Sequence, residues 1–171
     1  MPDINITPEN LIGLSRSIES GYIQELKPIS KWAEMIIINM EHPPSWILDI
    51  YDSKVSSEIF IILCDQLNRL PANVWCKIDD TAICLGFSYL IFKRGDINLL
   101  DLLMECGRKA DSSNYIFDCS HFYHFANQVE NINLSEHEQQ ENYREIESIL
   151  RPMAEMAIDT LPRQLIDLKS C

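Results

Sequence analysis

The stretch Asp118-Cys119-Ser120-His121-Phe122-Tyr123-His124 is the one grouping in the chain with metal-ligand character. On a helix, His121 and His124 lie one turn apart and could share a cation. Cys119 then points away towards an apolar stripe, and no second Cys/His group supplies the further ligands that zinc requires. The expectation is therefore no metal and no cofactor. The plainer account is a polar helix face running Phe117, His121, His124 and Gln128. Phe117 is out of place on such a face, and an exposed aromatic beside histidines and Asp118 fits a protein contact better than open solvent.

Other routes to chemistry find little support. Gly86-Phe87-Ser88-Tyr89-Leu90 lacks the second glycine of a nucleophile elbow and lies inside an apolar run. No P-loop and no Gly-x-Gly-x-x-Gly occurs. Asp79-Asp80, just before Thr81, suits a helix N-terminus better than a metal. The chain is expected not to be an enzyme.

Charge is the strongest compositional signal. Fourteen Lys and Arg stand against 26 Asp and Glu, a net charge of −12. Residues 111–147 hold eight of the acids and a single base, Arg144. Such a surface repels nucleic-acid phosphates and anionic lipid heads and attracts basic proteins. A charge run usually does no more than solubilise, but one segment is more specific. Glu138, Glu141 and Glu145 fall on one face of a helix, opposite Tyr143, Ile146 and Leu150. Glu141 and Glu145 repel each other at i, i+4 with no lysine to relieve it. A row that weakens its own helix is economically explained by a basic partner.

The elements that position these residues read as helices. Thr7 caps the first with Pro8 behind it, and Gly21 ends it. Ile29, Trp32, Ala33, Ile36, Ile37 and Met40 make one apolar stripe, widened by Met35 and Ile38. A further helix, capped by Ser56 or Ser57, buries Ile59, Phe60, Leu63, Leu67 and Leu70. Residues 82–92 alternate like a strand, but no second strand exists to pair with them, so a buried helix ending at Gly95 is expected. Asp96 is expected to cap the next helix and Gly107 to stop it. Tyr115, Cys119, Phe122, Ala126 and Val129 form another stripe. Ser135-Glu136-His137-Glu138 is a capping box, and the helix after it carries Tyr143, Ile146, Leu150, Met153 and Ala157, with Pro152 expected to kink or split it. Pro162 starts a last short piece.

At 171 residues, with 46% hydrophobic and 23% charged residues, these segments predict a single all-α domain over 1–171, built of about eight helical segments. Its core would include Trp32, Ile36, Phe60, Leu63, Leu100, Phe122, Ile146 and Leu150. The sequence Met1-Pro2-Asp3-Ile4-Asn5 has no basic patch leading into an apolar segment, and no Cys-x-x-Cys pair occurs among the six cysteines. No apolar run approaches a membrane span. A cytoplasmic protein with reduced thiols is expected.

In size, acidity, absence of catalytic motifs and cytoplasmic character, the chain resembles the immunity proteins of bacterial polymorphic-toxin systems, including contact-dependent growth inhibition. Helical segments such as Ile29-Ser30-Lys31-Trp32-Ala33-Glu34-Met35-Ile36 share that family's general look. Immunity proteins have no common motif, so the resemblance assigns no residue. It implies tight binding to one cognate toxin domain, often a nuclease such as an RNase, whose cationic active site the acidic surface covers. Phe117, Asp118, His121, His124, Glu138, Glu141 and Glu145 are the candidate partner-binding residues. Two alternatives remain open: an acidic secretion or assembly chaperone, and a helical enzyme with a metal site at His121/His124.

Overall fold

A computed structural model describes residues 6–75, 78–113, 118–130 and 135–168, and every regular element among them is an α-helix. The fold is all-α. The chain packs as two compact units, residues 1–78 with 158–171 and residues 79–157.

The first unit begins with α1 (Pro8–Glu19), whose N-terminus is closed by a reciprocal bond pair: Thr7 Oγ1 accepts from Asn10 N and Asn10 Oδ1 accepts from Thr7 N. Asn10 also donates to the Thr160 carbonyl at 3.0 Å, tying the start of α1 to the end of the chain. α2 (Leu26–Asn39) buries Ile29, Trp32, Ala33 and Ile36, the centre of the expected stripe. Ile38 is 74% exposed, against expectation, because it lies about 200° round the helix from Ile36. α3 (Ser45–Asp52) buries Ile47 and Ile50. α4 (Ser56–Asn68) buries Ile59, Leu63 and Leu67, while Phe60 is only half-buried. Its N-cap is Val55, without a side-chain cap bond, and not a serine. The single turn α5 (Ala72–Trp75) follows, and α10 (Arg163–Leu168), begun after Pro162, packs on α2.

The second unit is built around α6 (Asp80–Lys93). Asp79 caps it, Oδ1 accepting from Ala82 N at 2.9 Å, and Gly95 terminates it at φ 85°. The alternating run over 82–92 is thus helical, with Ile83, Leu85, Phe87, Tyr89 and Ile91 all buried. Gly86 permits a close backbone approach: a Cβ there would fall 2.2 Å from the Met153 carbonyl oxygen. α7 (Leu99–Asp111) is capped by Asn98, whose Oδ1 accepts from Asp101 N. Asp96 pairs with Arg94 instead. α7 runs straight through Gly107, where a Cβ would meet the Tyr123 ring at 2.7 Å, so this glycine serves packing and not termination. Leu102, Leu103 and Cys106 fill the core, and Leu100 is half-buried.

α8 (Cys119–Glu130) buries Phe122, Phe125 and Ala126; Val129, in its last turn, is exposed. Tyr115 lies outside the described residues. α9 (Glu136–Asp159) buries Ile146, Leu150, Ala154 and Ala157, and continues through Pro152. Proline removes the bond to the carbonyl four residues back, but Pro152 and Ser148 are both exposed, so water can take that carbonyl. Phe122, Phe125, Ala126, Ile146 and Leu150 join α6 and α7 residues in one core.

Among the described residues, Cys64, Cys84, Cys106 and Cys119 are free thiols. No helix of the described residues is long and apolar enough to cross a membrane.

Candidate functional site

The seven candidate residues fall in two places. Asp118, His121 and His124 lie at and just inside the N-terminus of α8; Glu138, Glu141 and Glu145 lie on the first half of α9; Phe117 lies outside the described residues.

At α8, Asp118 Oδ1 accepts from both the hydroxyl and the backbone N–H of Ser120. These bonds, the hydroxyl's first, hold its carboxyl below the usual carboxylate range. Cys119 places its Sγ 3.8 Å from Asp111 Oδ1. Burial, followed by the Asp111 charge, pushes that thiol up and keeps it protonated. His121 and His124 are exposed and flank the buried Phe125 ring, with centroids 6.4 and 6.1 Å from it. His124 Nε2 is 3.1 Å from Gln128 Nε2, whose amide N–H donates to the ring when that nitrogen is unprotonated. Among the described residues, no three His, Cys, Asp or Glu side chains come together as metal ligands do.

At α9, the capping box forms as its sequence dictates. Glu138 Oε2 accepts from Ser135 N at 2.8 Å and Ser135 Oγ at 2.6 Å, while Ser135 Oγ accepts from Glu138 N at 3.3 Å. The Ser135 bonds pull the Glu138 pKa down, so it is an ionised carboxylate committed to its own helix end. Every residue from 136 to 141 is exposed, and so is Glu145. Ile146 and Leu150 are buried on the other side and Tyr143 is half-buried, so the helix presents the carboxylates outward.

Two features escape a sequence reading. Glu147, counted with the acidic stretch, is tied down: its Oε1 accepts from Tyr89 OH at 2.8 Å and from Lys93 Nζ at 3.4 Å. Lys93 also donates to Tyr143 OH at 3.4 Å and lies 5.8 Å above the Tyr89 ring. The Tyr89 bond, then Lys93, lowers the Glu147 pKa, whereas burial and then Glu147 raise Tyr89 to about 12. This network clamps α6 to α9.

The second feature is a shallow cleft of about 400 Å³ in the first unit, between the end of α3 and the outer face of α4. Asp49, Asp52, Ser53 and Glu58 surround it, with Ile61 and Ile62 as its apolar wall. Ile61 is 60% exposed. The sequence signal for it is the run Ile59-Phe60-Ile61-Ile62-Leu63-Cys64, which carries more apolar side chains than one buried face uses.

No family model matches the chain, and no curated protein or solved structure matches it.

Proposed function

We propose that this chain is an inhibitory binding protein of the immunity type, acting in the cytoplasm on a cognate basic toxin domain, with a nuclease such as an RNase as the favoured target. The observation that carries the reading is the exposed carboxylate row of α9, where Glu141 and Glu145 repel each other one turn apart and Arg144, three residues after Glu141, is the single base in the whole stretch 111–147. A helix that accepts such repulsion is suited to meeting positive charge from outside. Exposed acids raise the rate of encounter with a basic surface, and this effect falls with salt. The histidines beside Phe125 and the sequence neighbour Phe117 supply the aromatic component that interfaces use as anchors.

The experiment is co-expression with the toxin encoded next to this chain, together with binding kinetics on the purified pair. Reversing Glu138 would also break the capping box, so the informative variant is Glu138→Gln with Glu141→Lys and Glu145→Lys, which retains an acceptor at the capping position. It is expected to slow association by about tenfold at low salt and to flatten the salt dependence. Phe117→Ala is expected to act through dissociation, at a cost of about 2 kcal/mol or more. Unchanged kinetics for the charge variant would reject this choice of interface. Failure of the unmutated chain to protect would reject the inhibitory reading.

One observation favours a second reading, an acidic chaperone that pairs through an apolar surface. Leu48, Tyr51, Val55 and Ile61 are all more than two-fifths exposed at α3 and α4. A stable dimer in sedimentation analysis, abolished by Ile61→Lys, would select it.

A further inference from the structure

The cleft of the first unit combines an unpartnered apolar face with charge of one sign. α4 carries two stripes: Ile59, Leu63 and Leu67 are buried, while Glu58, Ile61, Ile62 and Asp65 recur at i, i+3, i+4 and i+7 on the outward side. Asp49 and Asp52, one turn apart on α3, face the same cleft, and no basic residue among the described ones lines it. Glu58 is partly engaged, accepting from Lys54 N at 2.9 Å, which fixes its carboxylate at the rim. The carboxylates are not arranged as a metal site.

An apolar wall under a carboxylate rim matches a long cationic side chain, whose methylene stem can lie on Ile61 and Ile62 while its head meets Asp49, Asp52 or Glu58. We infer that this cleft docks a lysine- or arginine-bearing amphipathic segment of the partner, as a contact separate from the α9 row. The inference rests on the reading that the partner is basic. A second copy of this chain fits less well, because a two-fold pairing at this place would set Asp49, Asp52 and Glu58 against themselves in a chain of net charge −12.

The test uses the full chain, uniformly labelled with ¹⁵N and titrated with a synthetic helical peptide of lysine and leucine at low and at physiological salt. Saturable amide shifts concentrated in residues 48–65 are expected. Asp49→Lys with Asp52→Lys should weaken the peptide by about tenfold or more at low salt. Both positions are exposed in the last turn of α3, where lysine also suits the helix dipole, so folding is retained. Ile61→Lys should weaken it comparably, and Glu141→Lys with Glu145→Lys should leave it within about twofold at physiological salt, since neither residue lines the cleft. Shifts centred on residues 136–145, no saturable binding at low salt, or an Ile61-dependent dimer that excludes the peptide would each overturn the proposal. Failure of the inhibitory reading is distinguishable: a peptide seated in the cleft of a chain that gives no protection sinks that reading and leaves the cleft assignment standing.

Discussion

Gly86→Ala is a direct probe of how α6 meets α9. The added Cβ would lie 2.2 Å from the Met153 carbonyl oxygen, 2.6 Å from its carbon and 2.9 Å from Ala154 N. All three atoms belong to helical backbone and cannot rotate away. Restoring ordinary van der Waals contact requires the helices to separate locally by roughly 1 Å, in a core packed at crystal density. Leu85 and Tyr89 on one side and Leu150 and Ala154 on the other would then lose contact together. Overpacking of this kind costs about 1–3 kcal/mol, and a shifted backbone puts the upper end in play. Against it stands the helix propensity gained on replacing glycine with alanine, about 1 kcal/mol. The net expectation is a loss of about 1–2 kcal/mol, which at roughly 2–4 °C per kcal/mol for a chain of this size lowers Tm by several degrees. Thermal and urea unfolding followed by far-ultraviolet circular dichroism measure it. If the variant were as stable as the parent or more so, propensity would have won and the close backbone approach would be refuted.

Further expectations follow from the same unit and its neighbour. Tyr89, raised from 10.0 to about 12, gives stability that is complete below pH 10 and lost as pH rises towards 12; Tyr89→Phe should remove a tyrosinate that forms near pH 12 in an absorbance titration. The same substitution removes the first cause of the lowered Glu147 pKa, so the stability lost as pH falls through that carboxylate's range should shrink in an acid titration. Cys106 is fully buried and its thiol is pushed up to about 12, so it should react with a thiol reagent in native protein more slowly than Cys64, Cys84 and Cys119 and should react at once on denaturation. Leu63→Ala should destabilise by about 2–5 kcal/mol, the usual cost of a core cavity, read from the urea midpoint.

The helices were legible in the sequence because a buried face leaves a period. Trp32, Ile36, Leu63, Phe122, Ile146 and Leu150 are buried as their spacing predicts. Helix ends were less so. Asp96 and Asn98 are both competent caps two residues apart; in the fold Asn98 accepts the capping bond and Asp96 pairs with Arg94, which spacing alone does not reveal. The Gly86 packing is invisible to a reading in which a mid-helix glycine is simply a cost. Of the candidate site, the α9 row could be seen because its carboxylates share one helix face and Glu138 completes a capping box at its start. The engagement of Glu147 could not, since its partners Tyr89 and Lys93 are 58 and 54 residues away. The α3–α4 cleft was equally hidden: the sequence shows that α4 has apolar residues on two sides, but only the fold shows which side is left uncovered.

The two acidic surfaces differ in what lies beneath the charge, and that difference predicts different kinetics. Glu141 and Glu145 are both exposed on the outward face of α9, opposite its buried Ile146 and Leu150, so they offer field without an apolar floor. Charge of that kind acts over about 8 Å at physiological salt and speeds encounter, but it holds a docked partner weakly once screened. Asp49, Asp52 and Glu58 stand around Ile61 and Ile62, where a docked side chain displaces water from apolar surface and gains a persistent contact. Glu141→Lys with Glu145→Lys should therefore alter mainly the association rate, with a shallower salt slope, whereas Ile61→Lys should alter mainly the dissociation rate at every salt concentration. Surface-immobilised kinetics with the toxin encoded beside this chain, run at low and at physiological salt, separate the two effects. Changes of both variants in the same rate constant, with the same salt slope, would show that charge alone sets the interaction and that the isoleucine wall contributes nothing.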